Sequence, residues 1–368
     1  MTQRGDVSKN PLGLLGIESL DFTANSKEDS IYNLFTTLGF VKVSEQSQTH
    51  SIHYQQNRIH FTVSCDPNPS SISRKYFEKH GTGVYRINFL VNDAQKALDV
   101  ALQRGATLVE DYKKVETQEG VYAFGSIQGF GDCINQFVQR PTEKSYFPIR
   151  PDFNPCPNNN IHAQNTLLLT QPLLTIDHLT NNVPKGQMEY WVDFYKRIFN
   201  FEVTRYFDIK GLKTGLFSKV VQLVGTNIII PINEPEVENG KSQIQEFLDI
   251  HKGPGVQHMA FTTTNIIKTV SALKERKIRF LDVPDTYYED ISKRNLHVTE
   301  DILELKKHKI LVDGDTKGYL LQIFTDTYIG PSFFEIIQRK NHLGFGEGNF
   351  QALFDSIERD QMQRGYLK

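Results

Sequence analysis

The chain predicts an α+β protein in which one programme of strands and helices is run twice. Three observations carry that reading. Strand-length runs, alternating or wholly apolar, are interspersed with segments of helical period. One break interrupts them: residues 141–160 contain Pro141, Pro148, Pro151, Pro155 and Pro157, then Asn158-Asn159-Asn160, a linker composition. The segments after the break match those before it, in the same order. The boundary therefore falls in this stretch, giving expected domains at 1–150 and 151–368.

In order, residues 11–22 read as a strand, and a helix over 27–38 ends at Gly39. Strands follow over 40–43, 51–55 and 59–63, then a helix over 70–80 and a strand over 81–89. Ala97, Leu98 and Ala101 mark an amphipathic helix over 93–104. Strands near 120–127 and 134–140 close the first half. The second half restarts with a strand at 173–179 and a helix at 188–199 carrying Trp191, Phe194, Tyr195 and Ile198. Strands near 201–208, 215–223 and 227–232, a helix near 241–250 and a strand over 255–261 come next. A helix over 264–277, two strands within 308–324 and a last strand over 333–339 complete the series. A closing helix over 349–363 presents Phe350, Leu353, Phe354 and Ile357 at i, i+3, i+4, i+7. The glycine-rich Gly344–Gly348 precedes it, with Asn349 as the expected N-cap. Core packing and an aromatic lid are both open to that helix.

Composition narrows the function. A net charge of −2 gives no electrostatic case for nucleic acid or an anionic membrane. No run approaches the ~18 apolar residues of a membrane helix, and the polar start lacks a signal peptide's apolar core. Cys65, Cys133 and Cys156 make no disulfide framework. A soluble protein of the reducing cytoplasm is expected.

The repeat exposes the candidate chemistry. Gly253 to Phe261 matches Gly81 to Phe89, Thr175 to Leu179 matches Gly16 to Leu20, and Phe334 to Arg339 matches Asn135 to Arg140. Within these pairs His178, His258 and Glu335 stand opposite Ser19, Arg86 and Gln136. The strands persist while the ligands are exchanged, so the fold does not need histidine there. Two histidines and a carboxylate on three strands make a facial triad suited to non-haem Fe(II), though Zn²⁺ and Mn²⁺ accept the same donors. His50, His53 and His60 lack a carboxylate partner and read as surface or cross-strand residues. Strict alternation turns Gln257 away from His258's face. Gln322 in an apolar strand, with Ser218, Asn233 and Gln243, is either satisfied by backbone or faces a ligand.

Ile176-Asp177-His178, Gly255-Val256-Gln257-His258, Leu321-Gln322-Ile323-Phe324, Phe333 to Arg339 and Gly344 to Phe350 together resemble the 4-hydroxyphenylpyruvate dioxygenases, including bacterial legiolysin-type haemolysins. The resemblance covers nearly the whole chain. It implies a vicinal-oxygen-chelate fold of duplicated βαβββ modules in two open-barrel domains plus a C-terminal helix, with iron only in the second. It implies Fe(II) on His178, His258 and Glu335. Catalytic or polar pocket roles fall on Gln322, Asn233, Gln243 and Gln257, and substrate contacts on Ser218, Phe324, Phe333, Phe345, Phe350 and Phe354. The implied reaction turns 4-hydroxyphenylpyruvate and O2 into homogentisate and CO2 within tyrosine and phenylalanine catabolism, in a homo-oligomer, dimer or tetramer. Pigment and haemolysis would follow from oxidation of the product. The rivals are a 4-hydroxymandelate synthase, sharing site and substrate, and a non-catalytic protein that binds small aromatics. Pro231, Asn233 and Phe333 lie closer to the dioxygenase pattern.

Overall fold

A strand, a helix and three further strands form a unit that recurs four times. The computed structural model describes residues 9–117, 120–141, 150–156, 172–211, 213–236, 242–291, 296–346, 348–350, 354, 357–358, 361–362 and 364–367. The first unit is β1 (Leu14–Thr23), α1 (Ser30–Thr37), β2 (Val41–Gln46), β3 (Ser51–Gln56) and β4 (Ile59–Ser64). After α2 (Ile72–His80) comes the second: β5 (Val84–Val91), α3 (Ala94–Gln103), β6 (Leu108–Thr117), β7 (Gly120–Gln128) and β8 (Ile134–Gln139). A short β9 (Asn154–Pro155) precedes the third: β10 (Ile176–Asn182), α4 (Met188–Phe194), β11 (Glu202–Lys210), β12 (Gly215–Gln222) and β13 (Ile229–Pro235). After α5 (Gln243–His251) the fourth is β14 (Gly255–Thr262), α6 (Ile266–Glu275), β15 (Leu311–Gly314), β16 (Tyr319–Phe324) and β17 (Phe333–Lys340).

The two sheets have one topology. The first runs β6-β7-β8-β5-β1-β4-β3-β2-β9, the second β11-β12-β13-β10-β14-β17-β16-β15. Reversed, the first maps onto the second strand for strand, with β9 added at its edge. Each unit's opening strand pairs parallel with its last, and the opening strands of the two units in a sheet pair antiparallel. The helices repeat as well. Asp93 and Asn265 cap α3 and α6 by accepting the backbone N–H of Lys96 and Lys268. Ala94, Ala97, Leu98 and Ala101 of the one, and Ile266, Thr269, Val270 and Leu273 of the other, are buried. One apolar core runs through both halves, with Phe61 and Phe261 rings 5.9 Å apart across the join. Among the described residues no helix is long and apolar enough to cross a membrane.

Several expectations change in detail. The repeat matches Ile278 to Leu281 with the strand start Ala106 to Val109, but residues 278–281 open no strand and contribute only the bridge Phe280↔Thr325. Instead α7 (Thr286–Ile291) and α8 (Ile302–His308) are inserted before β15. The helix expected over 188–199 ends as α at Phe194 and continues as a π-turn over Tyr195–Phe199. Asn154 and Pro155, inside the Pro-rich break and beyond the expected boundary at 150, pair with β2 of the first sheet. Asn349 lies inside the closing helix, buried, where its amide oxygen accepts the Tyr287 hydroxyl. The capping acceptor at that end is Asp313 of β15, which takes the Gly348 N–H. Leu353 lies outside the described residues.

His53 and His60 are cross-strand residues but not surface ones. The Ser44 hydroxyl, His53 and His60 form a buried chain with 3.1 Å at each link. Burial, then Arg140, pushes His60 down to about 3, and burial and His60 push His53 well below its ordinary value. Both rings are neutral in the fold and protonate in the unfolded chain below about pH 6.5. Their contribution is complete above that pH and is lost as pH falls towards about 3. Replacing His60 with Gln should therefore flatten the acid limb of stability by roughly 1.4 kcal/mol per pH unit, read from unfolding at pH 4–6. An unchanged slope contradicts this.

Candidate metal centre

β10, β14 and β17 lie side by side at the middle of the second sheet. Their register sets Ala260 between His178 on one side and Glu335 on the other, and pairs His258 with Thr180. Ala260 leaves the space between its neighbours unfilled. The His178 and His258 Nε2 atoms therefore reach the Glu335 Oε2 at 3.2 and 3.5 Å. One donor atom from each of the three residues lies within 4.8 Å of the others, and all three residues are buried.

Both histidines turn Nδ1 outward onto the residue before them. Asp177 Oδ2 lies 2.8 Å from the His178 Nδ1, and Gln257 Oε1 lies 3.1 Å from the His258 Nδ1. Strict alternation forbids this, because neighbours face opposite ways. The register resolves it. Ile176↔Phe261 is followed by His178↔Ala260, and Thr180↔His258 by Asn181↔Val256. Asp177 on β10 and Gln257 on β14 are thus the extra residues of two β-bulges. The expected opposite-face placement of Gln257 is corrected for that reason. With Nδ1 donating to an acceptor, each ring keeps its Nε2 lone pair for the centre.

The electrostatics are those of a cation site. Burial opposes a charge on His178, but Glu335 and Asp177 outweigh it and raise that ring to about 9. Burial, with His178 nearby, pushes His258 well below its ordinary value. Burial would raise Asp177, yet Arg339 and His178 hold it far below the usual carboxylate range. The Glu335 Oε1 is buried without a hydrogen-bond partner. A buried carboxylate oxygen with nothing to accept from is costly, and a cation between three converging donors would satisfy it. The residues present therefore fit a divalent metal with a two-histidine, one-carboxylate set.

A cavity opens over these donors. Phe333 stacks on the His258 ring at 5.0 Å, Phe324 meets it edge-on at 6.2 Å, and Phe345 meets the His178 ring edge-on at 5.7 Å. Phe350 and Phe354 of the closing helix complete the apolar side, Phe350 against Phe207 of β11. Ser218 and Asn233, paired across β12 and β13, stand on the wall with Gln243 and Gln257. Gln322 does not line the cavity; it is wholly buried, its amide unpartnered. Gly346, at φ +77°, lies so close that a β-carbon there would sit 2.0 Å from the Gln322 Oε1. Sequence reasoning missed Thr180, Phe207, Ile209, Leu216 and Val220 on the wall. Alternation along β12 would have found Leu216 and Val220 beside Ser218.

The first half has the same register and a different filling. Asp21↔Arg86 and Asn88↔Gln136 occupy the positions of Thr180↔His258 and Ala260↔Glu335. Arg86 pairs with Glu110 at 3.1 Å, and the Gln136 and Ser126 side chains donate to the same carboxylate. Asn88, in place of Ala260, donates to the Ser19 hydroxyl and to Asp21, which also holds Arg150.

Comparison with known proteins agrees with this architecture. Residues 8–154 match the family model for hydroxyphenylpyruvate dioxygenase, N-terminal. Residues 175–300 match the glyoxalase/bleomycin resistance protein/dioxygenase superfamily. The chain is 42% identical to hemolysin VllY of Vibrio vulnificus, over 97% of this chain and 98% of that one. It is 39% identical to the 4-hydroxyphenylpyruvate dioxygenase of Pseudomonas aeruginosa, over 97% of each. A solved mutant of 4-hydroxymandelate synthase from Streptomyces coelicolor superposes with a TM-score of 0.82. It is 26% identical, covering 95% of this chain and 99% of that one.

Replacing His258 with Ala, or Glu335 with Gln, should leave circular dichroism unchanged in chelator. Divalent-ion affinity by calorimetry should fall by more than the ~10–100-fold that loss of an outer partner costs. Binding equal to wild type would place the metal elsewhere.

Proposed function

The chain belongs to the 4-hydroxyphenylpyruvate dioxygenase family, and we propose that it works with Fe(II) held by His178, His258 and Glu335. It is an enzyme that converts 4-hydroxyphenylpyruvate and O2 to homogentisate and CO2. The observation that carries the metal assignment is the unpartnered Glu335 Oε1 beside two histidines whose Nδ1 atoms are already engaged. The donor set, with one side open to the cavity, favours Fe(II) over a closed zinc site. When bound, Fe(II) supplies the redox chemistry that activates dioxygen for decarboxylation of the 2-oxo acid and hydroxylation of the ring.

The chain's own residues provide shape and dryness. Phe324 and Phe333, fixed against His258, give an aromatic face on which the substrate ring can stack. Phe345, Phe350 and Phe354 exclude water from the remaining side. Ser218, Asn233 and Gln243 offer hydroxyl and amide groups to the phenol. Gln257 holds His258 through its Oε1 and has its amide NH2 left for substrate. Gln322 stands behind Gly346, off the cavity wall. Both oxygen atoms of O2 remain in the products, one in the new side-chain carboxylate and one on the ring.

The likeness to a 4-hydroxymandelate synthase structure keeps benzylic hydroxylation as the second reading. Relatives named as dioxygenases share more identity, 39% against 26%. We further propose two domains meeting near residue 150, a cytoplasmic location consistent with three free cysteines, and a homo-oligomer. Exposed Leu108 and Val115 on edge strand β6, and Val203 and Tyr206 on edge strand β11, support self-association.

Oxygen uptake with 4-hydroxyphenylpyruvate should require Fe(II), and the product should be homogentisate; hydroxymandelate would select the second reading. Phe333→Ala should lower kcat/KM by roughly 10–100-fold, the loss of one buried aromatic contact. A variant with wild-type kcat/KM would remove Phe333 from the substrate site.

A further inference from the structure

Asp177 is held from two sides. Arg339 grips it with a fork, Nε to Oδ1 at 2.8 Å and Nη2 to Oδ2 at 2.7 Å, while Oδ2 also accepts from the His178 Nδ1. The same guanidinium continues outward. Its Nη1 donates to the carbonyls of His342 at 3.2 Å and Gly344 at 2.6 Å. The next residue is Phe345, whose ring stands against His178. One continuous chain of bonds thus runs from a metal-ligand ring, through Asp177 and Arg339, to the turn that leads into the closing helix, and Phe345 returns from that turn to the same ring.

The first half shows which part of this is scaffold. Arg140 stands where Arg339 does, Glu18 where Asp177 does, and the two are paired. Glu18 is also a bulge residue, between Ile17↔Phe89 and Ser19↔Asn88. Bulge and carboxylate–arginine strap therefore belong to the repeated unit and exist without any ligand histidine. The second half differs in its carboxylate, which is one methylene shorter and reaches back onto its own neighbour's Nδ1. Its arginine also binds the carbonyls of His342 and Gly344.

We propose that Asp177 and Arg339 are positioning residues that fix the His178 ring for the metal and couple metal occupancy to order in the 342–345 turn. The proposal rests on the metal assignment above. The carboxylate sets the ring's tautomer and angle, and the planar guanidinium is the one side chain able to hold a carboxylate and two carbonyls at once. Metal on Nε2 strengthens donation from Nδ1, which tightens the Asp177–Arg339 fork and the turn behind it.

The probe is Co(II), whose visible bands report its coordination, with amide hydrogen exchange read over 342–346. In wild type, Co(II) should slow that exchange. Asp177→Glu rebuilds the strap found at Glu18: it should keep its melting temperature but bind Co(II) about 10–100-fold more weakly, with shifted bands. Arg339→Lys should retain Co(II) while losing the metal-dependent slowing. Asp177→Asn, isosteric with wild type, is the second variant should the longer side chain fail to fold; it should weaken Co(II) binding and recover the wild-type bands at saturation. Wild-type affinity and bands in Asp177→Glu, or exchange over 342–346 indifferent to Co(II) in wild type, would reduce the pair to scaffold. If wild type and His178→Ala bind Co(II) alike, it is the metal assignment that fails.

Discussion

One inserted residue ahead of each of His178 and His258 shapes the candidate metal centre. In a regular strand the residue before His178 or His258 faces away from it. The bulges at Asp177 and Gln257 bring both neighbours onto the histidines' side, where a carboxylate and an amide oxygen take the two Nδ1 protons. Both Nε2 atoms are then committed to the centre, where Glu335 waits with one oxygen unpartnered. Ala260, small and central, leaves room for an ion among them. The cost of burying an unsatisfied carboxylate is accepted by the fold because a bound cation removes it.

Duplication explains why the scaffold can carry that cost. The first half keeps the strand order, the register and both bulges, yet pairs the buried charges of its interior among themselves. Arg86, Glu110, Gln136, Asn88, Asp21 and Arg150 neutralise one another where the second half has three converging ligands. Two solutions to one buried polar cleft thus stand in a single chain: an internal ion-pair network and a site built for an external ion. The halves are also packed as one body. His80 of α2 bonds the His251 carbonyl at the end of α5, and the Tyr76 hydroxyl meets the His251 ring. The far end of α5 supplies Gln243 to the cavity wall.

The fold class and the grouping of His178, His258 and Glu335 were legible in the sequence because the repeat is strong in the core strands. A histidine opposite an arginine in otherwise matching strands signals function, since packing alone does not ask for the change. What stayed hidden was local. Bulges leave no mark in an apolar/polar pattern, so alternation placed Gln257 on the wrong face, and Asp177, though part of a quoted motif, was given no role. The repeat also misled at 278–281, where the inserted α7 and α8 postpone the strand to β15. Gln322 sits in an apolar strand as expected, but the close passage of Gly346, which hides it from the cavity, depends on the tertiary path of a distant loop. His53 and His60 lacked a carboxylate partner in sequence and found each other in the fold.

The central claim is that register and bulges together place one metal between His178, His258 and Glu335 and none in the matching cleft of the first half. Anomalous diffraction from crystals grown anaerobically with Fe(II) tests it most directly. The account predicts one iron peak per chain, bound by the Nε2 atoms of His178 and His258 and by the Glu335 carboxylate. A peak beside Asp21 and Glu110, or coordination through Nδ1 of either histidine, would contradict it.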